Sequence, residues 1–117
     1  NMAFITEMAT GLPGATGQIP NATAPLAETL RLNGYATAAF GKWHETAAWE
    51  ASIAGPFDRW PTRQGFDKFY GFLGGDTHQY YPELVYDNHQ VEPSKTPEEG
   101  YHLTVDITDK AIGFIAD

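Results

Sequence analysis

The chain reads as an α/β unit, a helix feeding a short strand whose carboxyl end carries polar chemistry, and three observations predict this. The stretch from Asn33 to His44, N-G-Y-A-T-A-A-F-G-K-W-H, passes from a helix ending through an apolar run to Lys42 and His44. Leu26, Ala27 and Leu30 fall on one face of the preceding helix, and Leu103, Ile107, Ala111 and Phe114 or Ile115 repeat at helical spacing near the end. Helix followed by strand is half of an α/β repeat, and in open sheets of that kind ligands gather at the carboxyl ends of strands.

Residues 1–22 form a loop-rich start. After an apolar opening at Met2 to Ile5, Gly11, Pro13, Gly14, Gly17 and Pro20 break any period, so a covered surface loop is expected. Met2, Phe4 and Met8 are candidates for a small apolar anchor. Residues 23–44 are the helix, the strand and the polar turn. Thr23 is positioned to cap a helix from about Ala24 to Asn33, with Pro25 tolerated in its first turn. Gly34 supplies the left-handed residue that ends it. Tyr35 to Phe40 then reads as a buried strand, and Gly41 ends that strand. In an extended segment side chains alternate, so Lys42 and His44 should point the same way, about 6 to 7 Å apart, with Trp43 turned into the packing. That spacing suits the two sides of one small anion.

Residues 45–100 are loops and short strands. Glu45 to Arg63 mixes a short helix with breaks at Gly55-Pro56 and Trp60-Pro61. Trp43, Trp49 and Trp60 lie close in sequence, and such aromatics either line a pocket for an aryl group or cover the edge of a core. Gly65 to Leu73 is a short buried segment, and Gly74-Gly75 turns the chain after it. Leu84 to Tyr86 reads as a strand, with Asp87-Asn88 in the turn of a hairpin and Val91 starting the return. Residues 101–117 carry an amphipathic helix from about Thr104, with Asp106 and Asp109 in its first turns, where the helix dipole favours anions.

Composition narrows the field. Fifteen acids against seven Lys and Arg give a formal charge of −8, which argues against a nucleic-acid partner, since that binding rests on clustered cations. No apolar run approaches the roughly 20 residues of a membrane span, so no membrane partner is expected. With 117 residues, 42% of them hydrophobic, one modest core is within reach and two are not. The chain has no Cys, which rules out disulfides within it and assigns no compartment.

The run G-Y-A-T-A-A-F-G-K-W-H, from Gly34 to His44, resembles the second signature of the sulfatases, the formylglycine-dependent sulfuric ester hydrolases of the alkaline-phosphatase-like superfamily. The likeness continues through Gly65-Phe66-Asp67-Lys68-Phe69-Tyr70-Gly71-Phe72, Tyr81-Pro82 and Glu99 to Thr104, and is similar to a bacterial arylsulfatase branch along nearly the whole chain. It implies a partial sulfatase-like sheet flanked by helices, incomplete in this segment, as part of a larger enzyme. It implies calcium and formylglycine as cofactors of that parent enzyme, none bound by this segment alone. Neither C-x-P-x-R nor S-x-P-x-R occurs here, so the residue that would become formylglycine is absent. The family's calcium ligands find no match either.

In the mechanism the resemblance implies, a calcium-bound formylglycine hydrate attacks the sulfur of a sulfate ester, with an aryl sulfate as the expected substrate. Lys42 would be a fixed cation on a sulfate oxygen and His44 a hydrogen-bond donor and proton carrier beside the nucleophile. Two alternatives stay open: a phosphodiesterase or phosphonate hydrolase of the same superfamily, and a non-catalytic interaction module built on the tryptophans and tyrosines. His78, beside Asp76, is expected at the rim rather than on a metal, because a metal site needs more converging ligands. His89 is expected exposed in the hairpin turn, and His102 holding the entrance of the last helix. Asp67, Asp76, Asp106 and Asp109 are read as solvated or capping. Apolar faces left uncovered predict a homodimer if only these residues are present.

Overall fold

A computed structural model describes residues 22–117. The loop-rich start, with the anchor expected at Met2, Phe4 and Met8, lies outside the described residues. Helix α1 (Leu26–Leu32) precedes strand β1 (Ala38–Lys42); β2 (Lys68–Phe72), β3 (Leu84–Tyr86) and β4 (His89–Val91) follow, and helix α2 (Leu103–Ala116) closes the chain. The strands form one mixed sheet in the order β1-β2-β3-β4. β1 and β2 run parallel, Ala38 opposite Lys68 and Lys42 opposite Phe72, whereas β2 with β3 and β3 with β4 are antiparallel. The α/β class stands. No helix among the described residues is long and apolar enough to cross a membrane.

Helix α1 ends as its glycine dictates. Gly34 adopts φ +86°, the Gly34 N–H donates to the Arg31 carbonyl at 3.0 Å and the Tyr35 N–H to the Leu30 carbonyl at 3.2 Å. This is the paired C-terminal closure that a left-handed glycine makes possible. The start differs from expectation. The cap is Pro25, without a side-chain hydrogen bond, and not Thr23. The expected apolar face also fails at Leu26, which is 74% exposed while Ala27 is buried. The reason lies in Gly65, where a Cβ would run into the backbone of Ala27 and Glu28, so the helix is approached through its backbone and not through a row of leucines.

The first strand begins later and runs further than the apolar run suggested. Thr37 sets its start: its hydroxyl donates to the Gly65 carbonyl at 2.7 Å, its N–H to Asp67 Oδ2 at 3.1 Å, and its carbonyl accepts the Asp67 N–H at 2.8 Å. Asp67 is therefore a clamp between the entries of two parallel strands, not merely a solvated acid. Tyr35 stays outside the strand and exposed. Gly41 does not end β1 but pairs with Gly71, where a Cβ would collide with the Gly41 carbonyl. Two facing glycines let the ladder continue to Lys42.

Alternation along the strands produces a buried cluster on each face of the sheet, where the sequence suggested one core. Trp60, Phe69, Leu73 and Val85 form the first, with Ala39, Trp43, Ala51 and Phe57 against it. Tyr70, Leu84, Tyr101 and Leu103 form the second, with Phe40, Phe72, Val91 and Ile107. Each is thin and both share the same strands, which is how a short chain sustains two. The first face is covered by the segment between β1 and β2 and its short 3-10 turns, the second by α2.

The hairpin forms across Asp87-Asn88 as expected, with Tyr86 opposite His89, but its return strand starts at His89 and Val91 ends it, because the two-residue turn lets pairing begin at once. Asp87, at φ +52°, holds it to β2 by accepting the Phe69 N–H on Oδ1 at 2.9 Å and donating its own N–H to the Phe69 carbonyl at 2.8 Å. His89 is exposed but is the first residue of β4 and not part of the turn. His102 caps α2, accepting the Thr104 N–H on Nδ1 at 3.2 Å, and the helix starts at Leu103, one residue earlier than expected. Phe114, 6.0 Å from the Phe40 ring, is the residue that faces the sheet; Ile115 points away.

Candidate functional site

The chain leaves β1 still zipped to β2. Beyond Lys42 the Trp43 N–H donates to the Phe72 carbonyl and the His44 N–H to the Leu73 carbonyl, each at 3.0 Å. The indole of Trp43 turns inward as expected, its Nε1–H donating to the Arg59 carbonyl at 2.9 Å and its ring lying edge-on to Phe66 and Phe69 at 5.7 and 6.4 Å. It nails this corner to the segment that covers the first face. Lys42 and His44, on either side of it, are exposed.

The expected geometry of that pair needs correction. His44 has φ +57°, a left-handed conformation, so the strict alternation that would hold Lys42 and His44 on one side stops at Trp43. What the fold provides is their common location at the carboxyl end of β1, hydrogen-bonded to the carboxyl end of its parallel neighbour. Lys42 forms no ion pair among the described residues. The His44 ring rests over Gly75: a Cβ there would lie 3.0 Å from both Cε1 and Nε2. Sequence reasoning saw Gly74-Gly75 only as a turn, and nothing in the local sequence says which side chain that turn meets.

Two of the three tryptophans, Trp43 and Trp60, meet in the first buried cluster. Trp60 is wholly buried and donates its indole N–H to the Glu50 carbonyl at 2.7 Å; Trp49 is 65% exposed. Trp43 borders a cavity of about 340 Å³, shared with Pro25, Leu26, Ala27, Arg59 and Phe66. Trp60 thus lies within the core and Trp43 covers its edge. Arg59 reaches the buried Glu50 at 2.8 Å.

His78 is exposed, and its Nδ1 accepts the N–H groups of Tyr80 and Tyr81 at 3.0 and 3.1 Å, which occupies that nitrogen in a turn. Asp76 accepts the Thr77 N–H on Oδ1 at 2.8 Å. No three His, Cys, Asp or Glu side chains among the described residues are grouped so as to hold a metal ion. Calcium therefore finds no set of side chains that fits it among the described residues, and with no Cys in the chain a cysteine-derived formylglycine does not fit either.

Asp106 overturns the expectation of a solvated, dipole-facing acid. Its Oδ2 accepts both the Tyr70 hydroxyl at 2.6 Å and the Tyr101 hydroxyl at 2.9 Å, tying α2 to β2. Burial, reinforced by the hydrogen bond to this carboxylate and its charge, pushes both phenols well above the ordinary tyrosine range. Lys110 sits over the Tyr70 ring at 5.4 Å. A structural acid of this kind is invisible in sequence because its partners lie 36 and 5 positions away.

A family model described as Sulfatase matches residues 3–117. The chain is 31% identical over 114 residues to "Uncharacterized sulfatase YdeN" of Escherichia coli (strain K12), an alignment covering 83% of this chain and 19% of that protein. Crystal structures of Ps i-CgsB, alone and in complex with k-i-k-neocarrahexaose, each match with a TM-score of 0.66 at 23% identity, covering 88% of this chain and 25% of theirs. The chain therefore spans about a fifth of the curated relative and a quarter of the solved structures.

Proposed function

The chain belongs to the sulfatase family, and from that premise we propose that it forms the sulfate-holding corner of a sulfuric ester hydrolase, with Lys42 and His44 as the residues that meet the sulfate. The observation that carries the reading is the placement of an exposed lysine, without an ion pair among the described residues, and an exposed imidazole at the carboxyl end of a parallel strand pair. In an open sheet that is where an anionic ligand finds its partners. The Lys42 ammonium would hold a sulfate oxygen and stabilise the charge that builds on it. His44 would donate a hydrogen bond at the same group and carry a proton. An aryl sulfate ester is the expected substrate. Formylglycine and calcium, which the family implies, would belong to parts of the complete protein beyond these residues.

The test uses the complete protein and 4-nitrophenyl sulfate. A fixed cation aimed at developing charge acts mainly in the transition state, so Lys42→Ala should lower kcat on the order of 10²-fold while KM moves far less. His44→Ala should also lower kcat. Folded variants with unaltered turnover would remove both residues from the site. Faster hydrolysis of a phosphate diester than of the sulfate by the unmodified protein would assign the chain to the superfamily's phosphoesterase chemistry.

A further inference from the structure

We propose that Gly75 is a positioning residue for His44: the absence of a side chain there leaves the space in which the imidazole rests at the end of β1. This rests on the reading of His44 as part of the sulfate site. A Cβ on Gly75 would stand 3.0 Å from Cε1 and from Nε2 and 3.4 Å from Cδ2, so three ring atoms lie against the bare Cα. Contacts that close force the neighbour to move, and the neighbour here is the free end of an exposed side chain.

The backbone at Gly75 does not itself demand glycine. Gly75 is absent from the glycines with positive φ, unlike Gly34, Gly41, Gly55, Gly65 and Gly100. Gly74, its neighbour in the same turn, would bring a Cβ only to an ordinary 3.6 Å from the Asp76 carbonyl. Of the pair, only Gly75 is matched to the imidazole. The turn is also held in register with the ring, because the His44 N–H donates to the carbonyl of Leu73, two residues before Gly75. His44 is thus held at its backbone by the end of β2, and its ring rests beside the turn that follows. With the backbone pinned, an added methyl at position 75 must displace the ring.

The experiment is a comparison of Gly75→Ala, Gly74→Ala, His44→Ala and the double variant Gly75→Ala/His44→Ala in the complete protein, assayed on 4-nitrophenyl sulfate with thermal unfolding alongside. Misplacing a reacting group by about 1 Å costs up to roughly 10²-fold, and contacts of 3.0 to 3.4 Å ask the ring to give by a few tenths of an ångström, so Gly75→Ala should lower kcat by roughly threefold to fivefold. Gly74→Ala should stay within about twofold of the parent. In the double variant the Gly75 substitution should add less than about twofold to the loss caused by His44→Ala, because a residue that acts through the ring has nothing to act on once the ring is gone. Equal activity of Gly75→Ala and Gly74→Ala overturns the proposal. So does a Gly75→Ala loss that multiplies fully onto that of His44→Ala, or a Gly75→Ala protein that melts well below Gly74→Ala, since either marks damage to the fold. Full activity of His44→Ala brings down the reading of the site and this proposal with it; an impaired His44→Ala beside an unimpaired Gly75→Ala brings down the proposal alone.

Discussion

Asp106→Ala is the perturbation whose consequence can be worked most directly from the structure. The Asp106 carboxylate accepts both tyrosine hydroxyls on the single oxygen Oδ2, and Tyr70 and Tyr101 are both buried. Removing it strands two buried hydroxyls at about 1–3 kcal/mol each, together about 2–6 kcal/mol. That is a large part of the roughly 5–15 kcal/mol that holds a domain folded. The loss falls on the seam between α2 and the sheet, so hydrogen exchange of the α2 amides reads it as a local opening free energy. At about 1.4 kcal/mol per tenfold, exchange should quicken roughly 30-fold to 10⁴-fold. The pair also predicts a pH dependence. Burial and the Asp106 carboxylate raise both phenols above their ordinary value, so the folded state favours the protonated form. Their contribution is complete below about pH 10, where unfolded tyrosine ionises, and is lost as pH climbs from there through the raised folded values. Protection of α2 should therefore decline above about pH 10. Exchange in Asp106→Ala within about twofold of the parent would refute the reasoning, showing that water satisfies the hydroxyls at no cost.

Two other outcomes follow from the same packing. Gly71→Ala should destabilise the chain by about 1–3 kcal/mol or more, because its methyl meets the Gly41 carbonyl and the ladder cannot close around it; an unchanged urea midpoint would mean that β1 can shift freely. The 117-residue chain on its own should associate with itself, since Leu26, Leu32, Val105, Ile112 and Ile115 are exposed and β1 has a strand partner on only one side among the described residues. Light scattering over a concentration range checks this, and a monodisperse monomer at high concentration would show that these faces do not drive pairing.

The sequence by itself determined the local grammar of the protein. Gly34 had to end α1, because only a residue without a Cβ takes that conformation cheaply. Asp87-Asn88 between two short strand runs had to turn a hairpin, His102 was placed to cap a helix, and the order of residues from Gly34 to His44 is itself similar to a sulfatase signature. Tertiary structure decided everything that depends on what lies opposite. The strand spans Ala38–Lys42 because Thr37 meets Asp67, and Gly41 lies inside it because Gly71 faces it. Asp106 is a bolt and not a solvated acid because two tyrosines from other elements find it. His44 departs from the extended alternation that adjacent residues suggest, and its ring lies against Gly75 across the turn. Periodicity and turn chemistry are properties of neighbours along the chain; hydrogen-bond partners and steric limits are properties of neighbours in space, and a single sequence carries only the first.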